Sequence, residues 1–383
     1  MDKLPNGWLL KRLEDVTAYQ KKQGLFDLPY VGMEHIESKT AVFIGTLQPQ
    51  RVKSSTFSFT EDDVLYGRLR PYLCKVLAPD FFGHCSTEIF PIRVKHGLDR
   101  QFLKYWLLSE NTTKEIESTC SGSRMPRADM NKVQKIQIPL PPLPEQTRIV
   151  SKLDALFAHI NKSIALLEEN IKHTNGLTAS LLEEIFVNGK NWKREPLNKV
   201  AKVERGKSKH RPRNDQKLFG DSYPFIQTGD VRSANKYIDK YEVCYSEFGL
   251  KQSRLWNKGT ICLTIAANIG DVAILGFDAC FPDSVVGITP NSMNNEFLYY
   301  YLKTLQLQLD KKANSAAQKN INLKILSEID VPVPSIEIQN SIADRFSRLE
   351  EKQFQILSAQ QSKLTYLKAL KSSLLDRAFK GDL

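Results

Sequence analysis

Apolar residues at Ile149, Leu153, Leu156, Ile160, Ile164, Leu167 and Ile171 recur in steps of three and four, and resume at Leu181 and Ile185. That spacing lays one apolar stripe along a single helix. Pro139, Pro141, Pro142 and Pro144 precede it and can continue neither a helix nor a ladder. A helix from about Thr147 to Phe186 would be roughly 60 Å long. One stripe of that length cannot bury itself, so the chain must supply a partner.

The partner lies at the C-terminus: Ile342, Phe346, Leu349, Ile356, Leu364, Leu367, Leu370 and Leu374, with polar Gln353 and Gln360 interrupting. The spacing predicts an antiparallel coiled coil whose polar positions help to fix register. The alternative is that each helix packs on its own domain. Glycine is costly inside a helix, so a kink is expected at Asn175-Gly176.

The second stripe belongs to a second copy of the whole plan. Trp8, Leu13 and Val16 match Trp192, Leu197 and Val200, and Phe102 to Leu107 matches Phe297 to Leu302. Lys135 to Pro141 matches Glu328 to Pro334, Gln146 matches Gln339, and Phe186 matches Phe379. Ordered matches at an offset near 190 residues mark one internal duplication. In the first copy, short strands are predicted at 30–36, 40–45, 63–66, 74–77, 88–94 and 133–140. A helix at 101–108 and a polar loop at 119–127 complete a compact α+β domain. The expected fold is α+β: two similar domains of mixed short strands and helices, separated by two long antiparallel helices, with an internal pseudo-two-fold. The boundaries expected are domain one at 1–144, central helix at 145–190, domain two at 191–336 and C-terminal helix at 337–383.

Formal net charge is +11 over 383 residues, which bears on partners more than on fold. The excess is concentrated at Lys190, Lys193, Arg194, Lys199, Lys202, Arg205, Lys207, Lys209, Arg211 and Arg213, whereas the central helix is near neutral. Six scattered cysteines without a CxxC pair point to a reducing compartment. No apolar run reaches membrane-spanning length, and a cytoplasmic protein is expected. Two similar, non-identical basic domains on a rigid spacer form a ruler. If each reads a short DNA element, the site is split and asymmetric, unlike the palindrome a homodimer imposes.

The run PLPPLPEQTRIVSKLDALF, its weaker echo VPVPSIEIQNSIADRF and the two basic domains resemble the specificity subunit of a type I restriction–modification system. The resemblance covers nearly the whole chain. It implies two target recognition domains, each reading half of a split site on double-stranded DNA. It also implies helices that dock two modification (methyltransferase) subunits, with restriction translocase subunits able to join. Adenine methylation would use S-adenosylmethionine on the partner, and ATP and magnesium would belong to a restriction subunit. This chain would then hold no cofactor and no metal and be non-catalytic. Docking and spacing fall to Gln146, Ile149, Leu153, Leu156, Ile160, Gln339, Ile342, Phe346 and Leu349. The second copy departs from the pattern, with Ser335-Ile336-Glu337-Ile338-Gln339 where the first has Pro142-Leu143-Pro144-Glu145-Gln146.

Candidate DNA contacts lie in loops. Ser123, Arg124 and Arg127 follow a glycine that permits close backbone approach, and arginine suits phosphate or guanine. Their counterparts are Ser315, Gln318, Lys319 and Asn320, where Asn and Gln can read adenine. The alternative is an ordinary polar connection. Arg68, Arg70 and Tyr72 follow a strand, and the matching segment in copy two, which ends at Asn268, has no arginine. Such a difference favours specificity over scaffold, with a solvated turn as the alternative. Lys207, Lys209, Arg211 and Arg213 form either a phosphate-contacting loop or a flexible charged one. Phe102, Tyr105, Trp106, Phe297, Tyr300 and Tyr301, at helical spacing in both copies, are expected in the core rather than stacked on bases.

Residues Ala201 to Ser208 nearly match a phosphate-binding loop, but alanine replaces its first glycine and the interior is charged. There is no HExxH or GxSxG, and the six histidines show no metal-ligand spacing. A rival to sequence-specific reading is a coiled-coil scaffold whose basic domains bind nucleic acid without sequence choice.

Overall fold

A computed structural model describes residues 4–20, 22–122, 124–186, 191–266, 269–313 and 323–383, with the side chains of 306–313 left aside. The chain divides into two compact units: 1–169 with 360–383, and 170–359. Two long helices, Leu143–Phe186 and Ile336–Ala378, contribute to both units. The first begins four residues earlier than its apolar stripe predicts. Pro144 lies in its first turn, where a missing N–H costs nothing, and the amides of Glu145 and Gln146 bond to the Pro142 carbonyl. No break occurs at Asn175-Gly176. The helix runs through both residues, and Gly176 faces open space, so its cost is only the modest propensity term.

In the first unit, Leu9–Arg12 pairs antiparallel with Gln137–Leu140, bringing the start of the domain to the strand that feeds the long helix. A four-stranded antiparallel sheet runs Thr17–Tyr19, Ile89–Val94, Asp63–Gly67, Val76–Leu77. A second sheet holds Gln23–Gly24, Thr56–Phe59, Gly83–Cys85 and Tyr30–Val31, the last pair parallel. Two predicted strands are corrected. Residues 40–45 make only a single bridge, Ile36 to Phe43, because Ala41 takes a positive φ that breaks an extended run. Residues 130–133 form a helical turn capped by Asp129, so the last strand starts at Gln137.

Helix Arg100–Leu108 puts Phe102, Leu103 and Trp106 into the core against Ile149, Leu153, Leu375 and Phe379. The first part of one long helix lies antiparallel to the last part of the other. Lys371 Nζ donates to Asn161 (3.0 Å) and Lys368 pairs with Glu168 (3.2 Å).

The second unit repeats the plan. Arg194–Pro196 pairs with Asp330–Pro332. A five-stranded sheet runs Ala201–Arg205, Val285–Pro290, Ile261–Thr264, Val272–Leu275, Tyr237–Ile238, with an added parallel edge strand. Phe297, Tyr300 and Tyr301 are buried beside Phe186 and Phe346. The aromatic residues of both copies are therefore core, as their helical spacing predicts. Here Gln353 bonds to Thr178 and to the carbonyl of Thr174 (2.6 Å), and Phe186 stacks on Phe346 (6.3 Å), so the two long helices run antiparallel here too. The buried stripe is narrower than its spacing predicts at two places. Ile356 and Leu370 are 50% and 46% exposed, because unbroken three-and-four spacing drifts around the helix relative to its neighbour.

Candidate nucleic-acid interface

In the first unit two loops distant in sequence are knitted together. The strand Asp63–Gly67 runs into Arg68, then a short turn at Pro71–Leu73 with Arg70 and Cys74 at positive φ. The second loop returns at Arg127, which bridges both Leu69 and Ser121. Arg70 N–H donates to the Pro126 carbonyl (2.8 Å), and Ala128 N–H to the Arg68 carbonyl (2.9 Å). The loops that carry Arg68, Arg70, Tyr72, Arg124 and Arg127 are thus joined through their backbones. Arg70, Tyr72 and Arg124 are exposed, while Arg68 and Arg127 are partly covered. Ser123 lies outside the described residues.

Glu88, which the sequence did not single out, ties the arginines together. Arg68 Nε donates to Glu88 Oε2 and Arg127 Nε to Oε1, each at 2.9 Å. Burial alone would raise the Glu88 carboxyl, but hydrogen bonds from Arg127 and Arg68 outweigh it and hold it below its ordinary value. Arg68 also sits over the Phe90 ring, 5.5 Å from its centroid. A lone acid before a strand carries no sequence signal, because its partners are 20 and 39 residues away.

Strand register gives the equivalent place in copy two. Gly67 pairs with Ile89 and Thr264 with Val285, so Arg68 corresponds to Ile265 and Glu88 to Ser284. The same backbone bond recurs: Arg68 N–H to the Glu88 carbonyl (2.9 Å) and Ile265 N–H to the Ser284 carbonyl (3.0 Å). The backbone is kept while the side chains change from charged to neutral.

The second unit builds its basic surface elsewhere. Lys207 and Lys209 follow the strand Ala201–Arg205, and their loop is sewn to the turn at 252–253. Lys209 N–H donates to the Gln252 carbonyl (3.1 Å), and Ser253 Oγ to the Lys207 carbonyl (2.8 Å). Arg211 folds back on the carbonyls of Ser208 and His210 (2.6 and 2.8 Å). Arg213 forks onto Asp283 Oδ1 and Oδ2 at 2.8 and 3.0 Å. Arg254 pairs with Glu204 (2.7 Å) and stacks on Trp256 (4.2 Å), a contact the sequence did not suggest. Asn268, Ser315, Gln318, Lys319 and Asn320 lie outside the described residues.

The residues expected on the long helices for docking turn inward. Ile149, Leu153 and Ile160 are buried in the first unit and Phe346 in the second, with Leu156, Ile342 and Leu349 half-buried. Gln146 is fully buried. Its Oε1 accepts from Asp99 N–H (2.8 Å), and its Nε2 donates to the Gly97 and Pro141 carbonyls (2.9 and 2.8 Å). Gln339 does the same work, accepting from Asn294 N–H (2.9 Å) and donating to the Pro334 carbonyl (2.8 Å). These glutamines latch each proline turn to its own domain. The exposed apolar residues of the helices are others, such as Phe354 (66%) and Tyr366 (75%).

Among the described residues no group of three or more His, Cys, Asp or Glu side chains could hold a metal, and no helix is long and apolar enough to cross a membrane. The family model for the type I restriction modification DNA specificity domain matches twice, at residues 5–172 and 189–366. The chain belongs to this family. One match falls on each half of the duplicated chain. A curated relative, the EcoDI specificity subunit of Escherichia coli, is 32% identical over 189 residues, which span 48% of this chain and 42% of that one. The putative MjaX specificity subunit of Methanocaldococcus jannaschii is 25% identical over 91% of this chain and 88% of its own. Among solved structures, a chain from work on complex assembly and conformational transition of the type I R-M system superposes with a TM-score of 0.84 at 25% identity, covering all of both chains. The HsdS subunit from Thermoanaerobacter tengcongensis shares the fold at a TM-score of 0.66 and 24% identity, covering 100% of this chain and 98% of that one.

Proposed function

We propose that this chain is the DNA-reading specificity subunit of a type I restriction–modification complex. It recognises a split, asymmetric site on double-stranded DNA and directs adenine methylation by two bound modification subunits. One observation carries the reading: the two copies keep the same backbone at equivalent positions but fill them differently, with the partly exposed Arg68–Glu88 pair in one and the buried Ile265 with Ser284 in the other. A scaffold for non-specific binding has no use for that divergence. Arginine forks such as Arg68 and Arg127 suit guanine O6 and N7, whereas Lys207 and Lys209 suit phosphates, which position the protein without specifying sequence.

Methyl transfer is placed on the modification subunits, which would bring S-adenosylmethionine. ATP and magnesium would come with restriction translocase subunits where these join. The chain itself would then be non-catalytic and hold no cofactor. Exposed apolar residues of the long helices, Phe354 in the second unit and Tyr366 in the first, fit separate docking points for the modification subunits. A complex that acts on cellular DNA places the chain in the cytoplasm.

The test is to map methylated bases in DNA from cells carrying this chain and its partner subunits. A split asymmetric motif is expected, and replacing residues 1–140 with those of a relative should change one half of it alone. A continuous palindrome, or an unchanged motif after the replacement, would reject the reading.

A further inference from the structure

We infer that Glu88 is a positioning residue for base reading, holding Arg68 and Arg127 so that the outer edges of both guanidinium groups face the DNA. The inference rests on the DNA-reading role proposed above.

The geometry is specific. Each carboxylate oxygen of Glu88 takes the Nε of one arginine, at 2.9 Å in both cases. That uses the inner edge of each guanidinium, and among the described residues no hydrogen bond engages the Nη atoms of either. The Nη1–Nη2 edge is a parallel pair of donors of the kind that reads guanine or phosphate bidentately. Without the acid, two like charges would share one small surface, and each arginine would be free among many rotamers. Fixing them beforehand removes an ordering cost of binding.

The carboxylate is itself fixed. The Glu88 backbone carbonyl accepts from Arg68 N–H, and the Arg68 carbonyl accepts from Ala128 N–H, next to Arg127. Acid and arginines are therefore locked in one ladder. The fold does not demand the ion cluster, because Ile265 and Ser284 hold the same backbone bond in copy two without it. The second copy anchors a different arginine from the residue before Ser284: Asp283 grips Arg213. In both copies, then, the turn entering the same strand supplies a carboxylate to an arginine of the candidate surface.

The experiment uses the chain assembled with its modification subunits. The motif methylated by the unchanged complex is mapped, and binding is measured across salt to a duplex bearing that motif and to a scrambled duplex. Glu88→Gln keeps the shape but loses the charge. It should lower the specific-to-scrambled affinity ratio about 10-fold, with the loss confined to the half-site read by the first unit. Scrambled binding should hold or tighten, and its salt slope should steepen by up to about one. General damage to the fold would instead weaken both duplexes together. The double variant Arg68→Ile with Glu88→Ser transplants the pair copy two already carries. It should still fold, with a modest fall in Tm from the lost Arg127 pairing, and lose discrimination at the same half-site. An unchanged ratio in both variants, or equal losses on both duplexes or at both half-sites, overturns the inference. Failure of the unchanged complex to methylate any split motif removes the DNA-reading role itself, and the positioning role with it.

Discussion

The ring of Phe379, near the C-terminus, lies edge-on to that of Phe102, with centroids 5.1 Å apart, inside the core of the first unit. The equivalent pair in the second unit is Phe186 with Phe297, at 5.2 Å. In each case the helix that ends a sequence copy finishes in the core of the other copy's domain. Phe379→Ala should therefore cost the first unit about 3 kcal/mol or more, although the residue is far from that domain in sequence. Denaturant unfolding followed by hydrogen exchange in 100–108 would read this, and an effect confined to the second unit would contradict it.

The buried glutamine latches give a second expectation. Gln146→Ala strands the Asp99 amide and the Gly97 and Pro141 carbonyls, at a cost of about 1–3 kcal/mol. Gln339→Ala strands two groups and should cost less. Denaturation midpoints at constant m-value check the order of the two.

Positioning contacts and reading contacts should separate. Lys207→Ala with Lys209→Ala should weaken binding to motif and scrambled DNA alike and lower the salt slope by about two. The methylated motif should stay the same. A changed base preference in the mapped motif would move these lysines from positioning to reading.

Acid should loosen both units through two carboxylates. For Glu296, burial is outweighed by hydrogen bonds from Lys236, Tyr237 and Ser347, so its carboxyl, like that of Glu88, lies below the ordinary 4.5. A value lowered on folding contributes stability above the unfolded value and loses it as pH falls through the folded one. Stability should thus decline below about pH 4.5. Glu296→Gln and Glu88→Gln should each flatten that decline in an acid titration followed by circular dichroism.

The long helices and the duplication were legible because both are periodic signals. Ile149, Leu153 and Ile160 repeat at helical spacing, and Gln146 and Gln339 each follow a proline turn. Periodicity locates the start of each long helix to within a few residues, whereas short strands carry too little of it. Residues 40–45 look β-like, but chain reversal at Lys39 and Ala41 leaves one bridge. Inward and outward positions on the second long helix were not separable at Ile356 and Leu370, because exposure depends on which face a neighbour covers. At the candidate site, the sequence picked out Arg68 and Arg127 separately. Their junction on Glu88 is a tertiary event joining residues 20 and 39 apart, which no local pattern encodes.

The exchange of helix ends also has a consequence for synthesis on the ribosome. Domains of multidomain chains generally fold as units, N-terminal first, while the chain is being made. Here Leu375, Ala378 and Phe379 pack into the first unit, so its core lacks their contacts until these residues have emerged. The second unit, contiguous at 170–359, has all of its parts earlier. Of the two units, the one that begins earlier in the chain is therefore completed later, and synthesis halted before residue 375 leaves its core without these three side chains.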